Sequence, residues 1–169
     1  MTALLPIYAR DILGTGPWGL GLLRSAPATG ALVMSVTLAN RPFERRVGRI
    51  MFGAVIVFGV ATIVFGLSRH LLLSLGALCV LGMADVVSVV IRYSLVQMKT
   101  PDEMRGRVSA AFSMFTSTSN QLGEFRAGLS AALLGTVPAV LLGGVGTIAV
   151  ALAWMYLFPE LRRVRAFDG

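Results

Sequence analysis

Apolar residues in this chain come in long runs separated by short polar stretches, and that alternation predicts its elements. Runs at residues 17–39, 50–67, 71–98, 107–134 and 137–158 are each helix-length, between 18 and 28 residues. A bilayer-crossing helix needs roughly 20 residues, so each run has about the length required. A sixth apolar stretch, Met1–Tyr8, is far too short to cross and has neither the basic start nor the small-residue cleavage site of a secretory signal. It resembles the tail of a longer helix, which is a first hint that the chain is a fragment. Between the runs lie a Gly- and Pro-containing turn at 10–17, a basic loop at 40–49, a tight connection at 68–70, a second basic loop at 99–107, a turn at 135–137 and a basic tail. Thr100-Pro101-Asp102-Glu103 suits a helix start, and Trp18 stands where interfacial aromatics are favoured. The predicted fold is all-α: a polytopic membrane helix bundle of five full transmembrane helices plus the end of a sixth.

Polar positions inside the runs carry the functional content. Ser109, Ser113, Ser117, Asn120 and Glu124 recur at steps of three or four, which at about 100° per residue forms one narrow stripe. Lipid offers such a stripe no hydrogen-bond partner, so it must face other helices or a water-filled cavity. Packing glue explains the hydroxyls; a buried carboxylate at Glu124 is costly and favours a cavity. Asp85 lies near mid-span, about 20 Å from either end of its helix, and Arg92 falls on the same face about 10 Å along the axis. Ser74 and Ser88 widen that face. Two readings of Asp85 stand, a structural ion-pair network with a neighbouring helix and a proton or substrate site. Arg92 is close enough to one end to snorkel. Arg24 sits about two turns into its run, sharing a face with Ala28, Ala31 and Ser35 that would admit a close partner helix, while Pro27 and Gly30 permit a kink. Glu124 and Arg126, two residues apart, point to different sides and are poor partners. Arg24 and Glu124 share the outer half of the bilayer, so a pair between them is an expectation from depth. Runs 50–67 and 137–158 carry no charge at all. Three helices are therefore expected to face the bundle interior and these two to form a lipid-facing rim.

Composition agrees with a membrane: 56% of residues are hydrophobic and 14% charged, against about 25% charged in soluble domains. The net charge of +7 would suggest nucleic acid in a soluble protein. Here ten of the fifteen Lys and Arg residues fall in 40–49, 99–107 and the tail, and two in the opposite set of connections. That bias sets topology and places the C-terminus in the cytoplasm. No nucleic-acid partner is expected. One cysteine, Cys79, excludes an internal disulfide, and one histidine, His70, leaves no metal-ligand spacing and no Ser-His signature. No cofactor, metal or enzyme activity is expected.

The passages Leu5-Pro6-Ile7-Tyr8-Ala9-Arg10, Gly19-Leu20-Gly21-Leu22-Leu23-Arg24, Thr100-Pro101-Asp102-Glu103-Met104-Arg105-Gly106-Arg107-Val108-Ser109 and Gly123-Glu124-Phe125-Arg126-Ala127-Gly128 resemble the C-terminal half of a major facilitator superfamily transporter, in its enterobactin-exporter-like efflux branch. The resemblance spans residues 1–169 as one half-domain, from the end of a seventh helix through helices eight to twelve. Arg46-Val47-Gly48-Arg49 is similar to the R-x-G-R core of the family's basic loop motif, although Arg45 stands at the motif's acidic position and Arg41 at its leading glycine. The resemblance implies a secondary transporter of the cell inner membrane, an antiporter expelling a drug- or siderophore-type small molecule by alternating access, with protons coupled. Asp85, Glu124, Arg24, Arg92 and Asn120 are then the candidates for substrate or proton contact. Its implied partners are the lipid bilayer, the small-molecule substrate and the missing N-terminal half, without which the chain is expected not to transport. The alternative is a non-transporting integral membrane subunit that binds a partner membrane protein.

Overall fold

The computed structural model of the chain describes residues 4–40, 47–98 and 100–157. Among these, all regular structure is helical. A stub begins with α1 (Leu5–Ile7) and runs on as a π-helical turn, Tyr8–Ile12. Then follow α2 (Gly16–Asn40), α3 (Val47–Leu67), α4 (Leu71–Met98), a 3₁₀ turn at Asp102–Met104, α5 (Arg105–Leu134) and α6 (Thr136–Leu157). Four of these, α2, α4, α6 and α3 from Gly48, are long and apolar enough to cross a membrane. The run expected at 107–134 is a helix of 30 residues and is not among the four. Its serines, threonines and charges lower its mean hydropathy, although its length suffices.

Several boundaries differ from expectation for local reasons. The stub continues past Tyr8 to Ile12, because the Leu13 N–H donates to the Tyr8 carbonyl at 3.0 Å and leaves only three residues of turn. The first basic loop ends earlier than expected, since α3 starts at Val47 and takes Gly48 and Arg49 into its first turn. Arg41, Glu44, Arg45, Arg46, Lys99 and the tail from 158 lie outside the described residues. The start of α5 is fixed by an Asp102–Arg105 ion pair at 2.9 Å. α5 and α6 are joined by Gly135 alone, at a φ of 90° that a residue with a Cβ rarely adopts.

Contacts run in the order α2, α4, α3, α6, α5, with a lighter return from α5 to α4. The uncharged α3 packs between α4 and α6 and keeps one apolar face, through Val57, Val60 and Val64, exposed. The charged Arg24, Asp85, Arg92, Glu124 and Arg126 all lie on exposed positions. In lipid, burying a leucine gains little because acyl chains are equally apolar, so helices associate through close packing and hydrogen bonds. Glycines supply the close packing. A methyl added at Gly30 would overlap the Cys79 carbonyl, and one at Gly82 the Pro27 carbonyl. At the α3–α6 crossing a methyl on Gly144 would stand 2.6 Å from Ile63 and 3.0 Å from the Gly59 carbonyl oxygen. This corrects the expected docking face of α2. Leu23, Ala26 and Gly30 are buried, whereas Arg24, Ala28 and Ser35 are exposed and Ala31 half-buried. Backbone contact selects the glycine side over the alanine side.

The core gathers where the stub meets α2, α3, α4 and α6, around Tyr8, Leu23, Phe65, Leu78 and Val140. The fully buried Tyr8 ring packs on Phe65 with centroids 4.5 Å apart, and its hydroxyl donates to the Gly66 carbonyl. Ser74, expected on the Asp85 face, is also fully buried and donates to the Ser68 hydroxyl at 3.0 Å, tying α4 to the 68–70 connection. Ser88 is buried too. Around this core the outer surface is greasy, with Leu72 at 83% and Phe115 at 76% exposure. Such an inside-out surface suits a molecule solvated by acyl chains.

Candidate functional site

The polar stripe of α5 divides into two parts. At its first end it is glue: the Gln97 side-chain amide of α4 donates to the Ser109 hydroxyl at 3.0 Å. Beside that bond the Tyr93 and Phe112 rings meet edge to face at 6.1 Å. Further along, Ser113 and Ser117 are exposed. At its far end the stripe opens on a cavity of about 590 Å³. Asn120 and Glu124 line it, together with Ser119, Gly123 and Ser130 of the same helix. The stripe thus makes a helix-helix hydrogen bond at one end and lines a cavity at the other.

Three further elements complete the wall: Leu4 at the head of the stub, Phe58 and Thr62 of α3, and Ala139, Gly143 and Thr147 of α6. The threonines sit in the two charge-free helices, which are expected at the lipid-facing rim. The Thr62 hydroxyl donates to the Phe58 carbonyl and the Thr147 hydroxyl to the Gly143 carbonyl, each at 2.8 Å. Their protons are committed, so each hydroxyl oxygen has only acceptor capacity left for a visitor. The sequence signal was present, a lone hydroxyl in an otherwise apolar turn, but without a known neighbour it reads as ordinary helix glue.

Arg126 lines the same cavity as Glu124. The two-residue spacing separates them by about 200° around the helix, yet the cavity is wide enough to reach both sides of it. The wall thus combines a carboxylate, a guanidinium, a carboxamide and several hydroxyls with apolar groups. Such a lining can hold a small molecule that is partly polar, and it offers an ionisable oxygen to carry a proton.

The other candidates lie elsewhere. Arg24 does not line the cavity that holds Glu124, and α2 and α5 stand at opposite ends of the contact order. The pair expected from depth is therefore not brought together here. Asp85 and Arg92 share the exposed face of α4, as the seven-residue spacing requires. No ion pair joins them; Arg92 donates from Nε to the Ser88 carbonyl at 3.2 Å instead. Gly48 is buried and Arg49 exposed at the start of α3. Among the described residues no cluster of side chains is fit to hold a metal ion.

The sequence model of the Major Facilitator Superfamily matches residues 1–124. Among curated proteins, the chain is 31% identical to the enterobactin exporter EntS of Citrobacter koseri over 146 residues, 86% of this chain and 35% of that protein. It is 25% identical to the proteins of the same name from Shigella flexneri and Escherichia coli, again over 86% of this chain. The chain spans about a third of the length of these relatives. No solved structure matches it significantly.

Proposed function

Because the chain belongs to the major facilitator superfamily, we propose that residues 1–169 are the C-terminal transmembrane half-domain of a proton-coupled efflux transporter of the inner membrane. The chain is a multi-pass membrane protein of a transporter family rather than an enzyme. Its substrate is a small molecule of siderophore or drug type, in line with the name of its exporter relatives. The observation that carries the reading is the cavity lined by Asn120 and Glu124 on a helix that keeps its polar stripe open.

In this account α5 is the fifth crossing helix, and its stripe is shielded from lipid by the cavity and by the N-terminal half of the transporter. Glu124 takes up and releases the exchanged proton. Neutralising it removes the cost of enclosing a carboxylate in a low-dielectric site, which lets the closed intermediate form. Asn120 holds the substrate by hydrogen bonds that do not change with protonation. Asp85 and Arg92 face the second half across the pathway, and Arg24 adds positive charge near its outer mouth. The C-terminus is cytoplasmic, and Arg46 and Arg49 of the motif contribute to that orientation, with Gly48 between them in the loop motif. Transport follows as the two halves rock about a site near the midplane.

The test is proton-driven flux in proteoliposomes. The complete transporter is expected to move substrate in exchange for protons flowing down an imposed pH gradient, and its Glu124→Gln variant to lose at least about tenfold of that rate, equivalent to about 1.4 kcal/mol. The 169-residue chain alone is expected to give none. Unchanged flux in Glu124→Gln, or flux from the chain alone, contradicts the proposal. A second reading, a non-transporting subunit seated on a partner membrane protein, is favoured by one observation: α5 buries no residue. It requires a stable complex with an intact second membrane protein and no flux from either.

A further inference from the structure

Away from the cavity, α3 and α4, with Met34 of α2, carry an apolar furrow. Two hollows form it, of about 350 and 300 Å³, and Val57 belongs to both. One lies over Val60, Val64 and Gly76, the other over Ile50, Ala54 and Val87. The α3 side has a regular plan. Arg49, Gly53, Val57, Val60 and Val64 follow one another at steps of four, four, three and four, so they form a single stripe, and all five are exposed. Gly53 supplies the stripe's gap and Gly76 hollows the facing wall; a methyl at either would meet nothing within 4 Å. Along the helix the stripe measures about 22 Å from Arg49 to Val64, more than the roughly 15 Å of half a hydrocarbon core.

The stripe therefore has the length of one extended acyl chain, and Arg49, which lines neither hollow but stands on the stripe one turn beyond Gly53, puts a cation at its end. An apolar trough capped by a guanidinium is complementary to a chain that ends in a phosphate. We propose that this furrow binds an anionic phospholipid of the surrounding bilayer, its phosphate against Arg49 and one acyl chain lying over Gly53 and Gly76 between the valines. The site is separate from the transport cavity and does not depend on what is carried.

Native mass spectrometry of the detergent-purified chain, with equal added phosphatidylglycerol or phosphatidylcholine of the same acyl chains, tests it. The unaltered chain is expected to retain the anionic lipid about fivefold more than the zwitterionic one. Arg49→Gln should reduce retention of phosphatidylglycerol to the phosphatidylcholine level. Val60→Trp, with Arg49 intact, should lower retention of both lipids, and Gly76→Leu, filling the trough from α4, should do the same. Leu152→Trp, at an exposed position of α6, should leave retention unchanged. Size-exclusion profiles matching that of the unaltered chain establish that each variant is folded. Equal retention of the two lipids, or undiminished phosphatidylglycerol in Arg49→Gln, overturns the proposal. So does loss in Arg49→Gln without loss in the two filling variants, since that places binding on charge alone.

Discussion

α4 and α5 are consecutive helices of similar length, 28 and 30 residues, and both carry acidic and basic residues. Yet α4 buries nine residues and α5 none. α4 packs its small and apolar positions on α2 and α3, while Asp85 and Arg92 stay exposed. α5 leans mainly on α6 and touches the end of α4 lightly. Its glycines show the same contrast. A methyl at Gly82 of α4 would run into the Pro27 backbone, whereas methyls at Gly123 and Gly128 of α5 would meet nothing within 4 Å. Glycine in α4 serves close approach; glycine in α5 leaves room. Stability is concentrated in the first helix, and free surface for chemistry in the second.

Substitutions can break this comparison. The largest effect is expected for Gly82→Leu, which forces α2 and α4 apart at their crossing. Overpacking of this kind costs about 3 kcal/mol, visible as a collapse of thermal stability in detergent. Next is Tyr8→Phe, which leaves the buried Gly66 carbonyl without its donor while keeping the ring on Phe65. A loss of about 1 kcal/mol is expected, measured by the same melt. Ser74→Ala breaks the buried bond to Ser68 and should cost about as much or slightly less. The smallest change belongs to α5: Gly128→Ala should be neutral or stabilising, by up to about 1 kcal/mol, because it adds helix propensity into open space. If Gly128→Ala destabilised more than Gly82→Leu, the division of labour between the two helices would be reversed.

Much of this could be read in the sequence because lipid forces the chain into helices and the runs are long. The order of the helices, the tight 68–70 connection and the split between charged and uncharged runs needed no partner information. The docking face of α2 did. Alanine and glycine both count as small in a sequence, but only glycine lets backbones touch, and Gly30 reads there as a kink residue rather than as a docking one. The position of α3 was equally hidden, since a helix apolar on every side gives no clue to which neighbours cover it. For the same reason Thr62 and Thr147 read in the sequence as ordinary helix hydroxyls rather than as cavity residues. Glu124 and Asn120 were legible because a carboxylate and an amide on an otherwise small and apolar turn demand an explanation. That Arg126 shares their cavity was not, because angular spacing describes one helix and the cavity is bounded by several.

The central claim is that the α5 stripe faces water and substrate rather than acyl chains. Single cysteines at Ser113, Ser117, Asn120 and Glu124, introduced one at a time into the complete transporter with Cys79 replaced by alanine, can be challenged with a membrane-impermeant maleimide. Cysteines at Val60 and Val150, exposed positions of the uncharged helices, give the lipid-facing reference. Labelling of the four stripe positions, protected by substrate at 120 and 124, with none at 60 and 150, is the expected result. Unreactive stripe positions alongside reactive cysteines at 60 or 150 would contradict it.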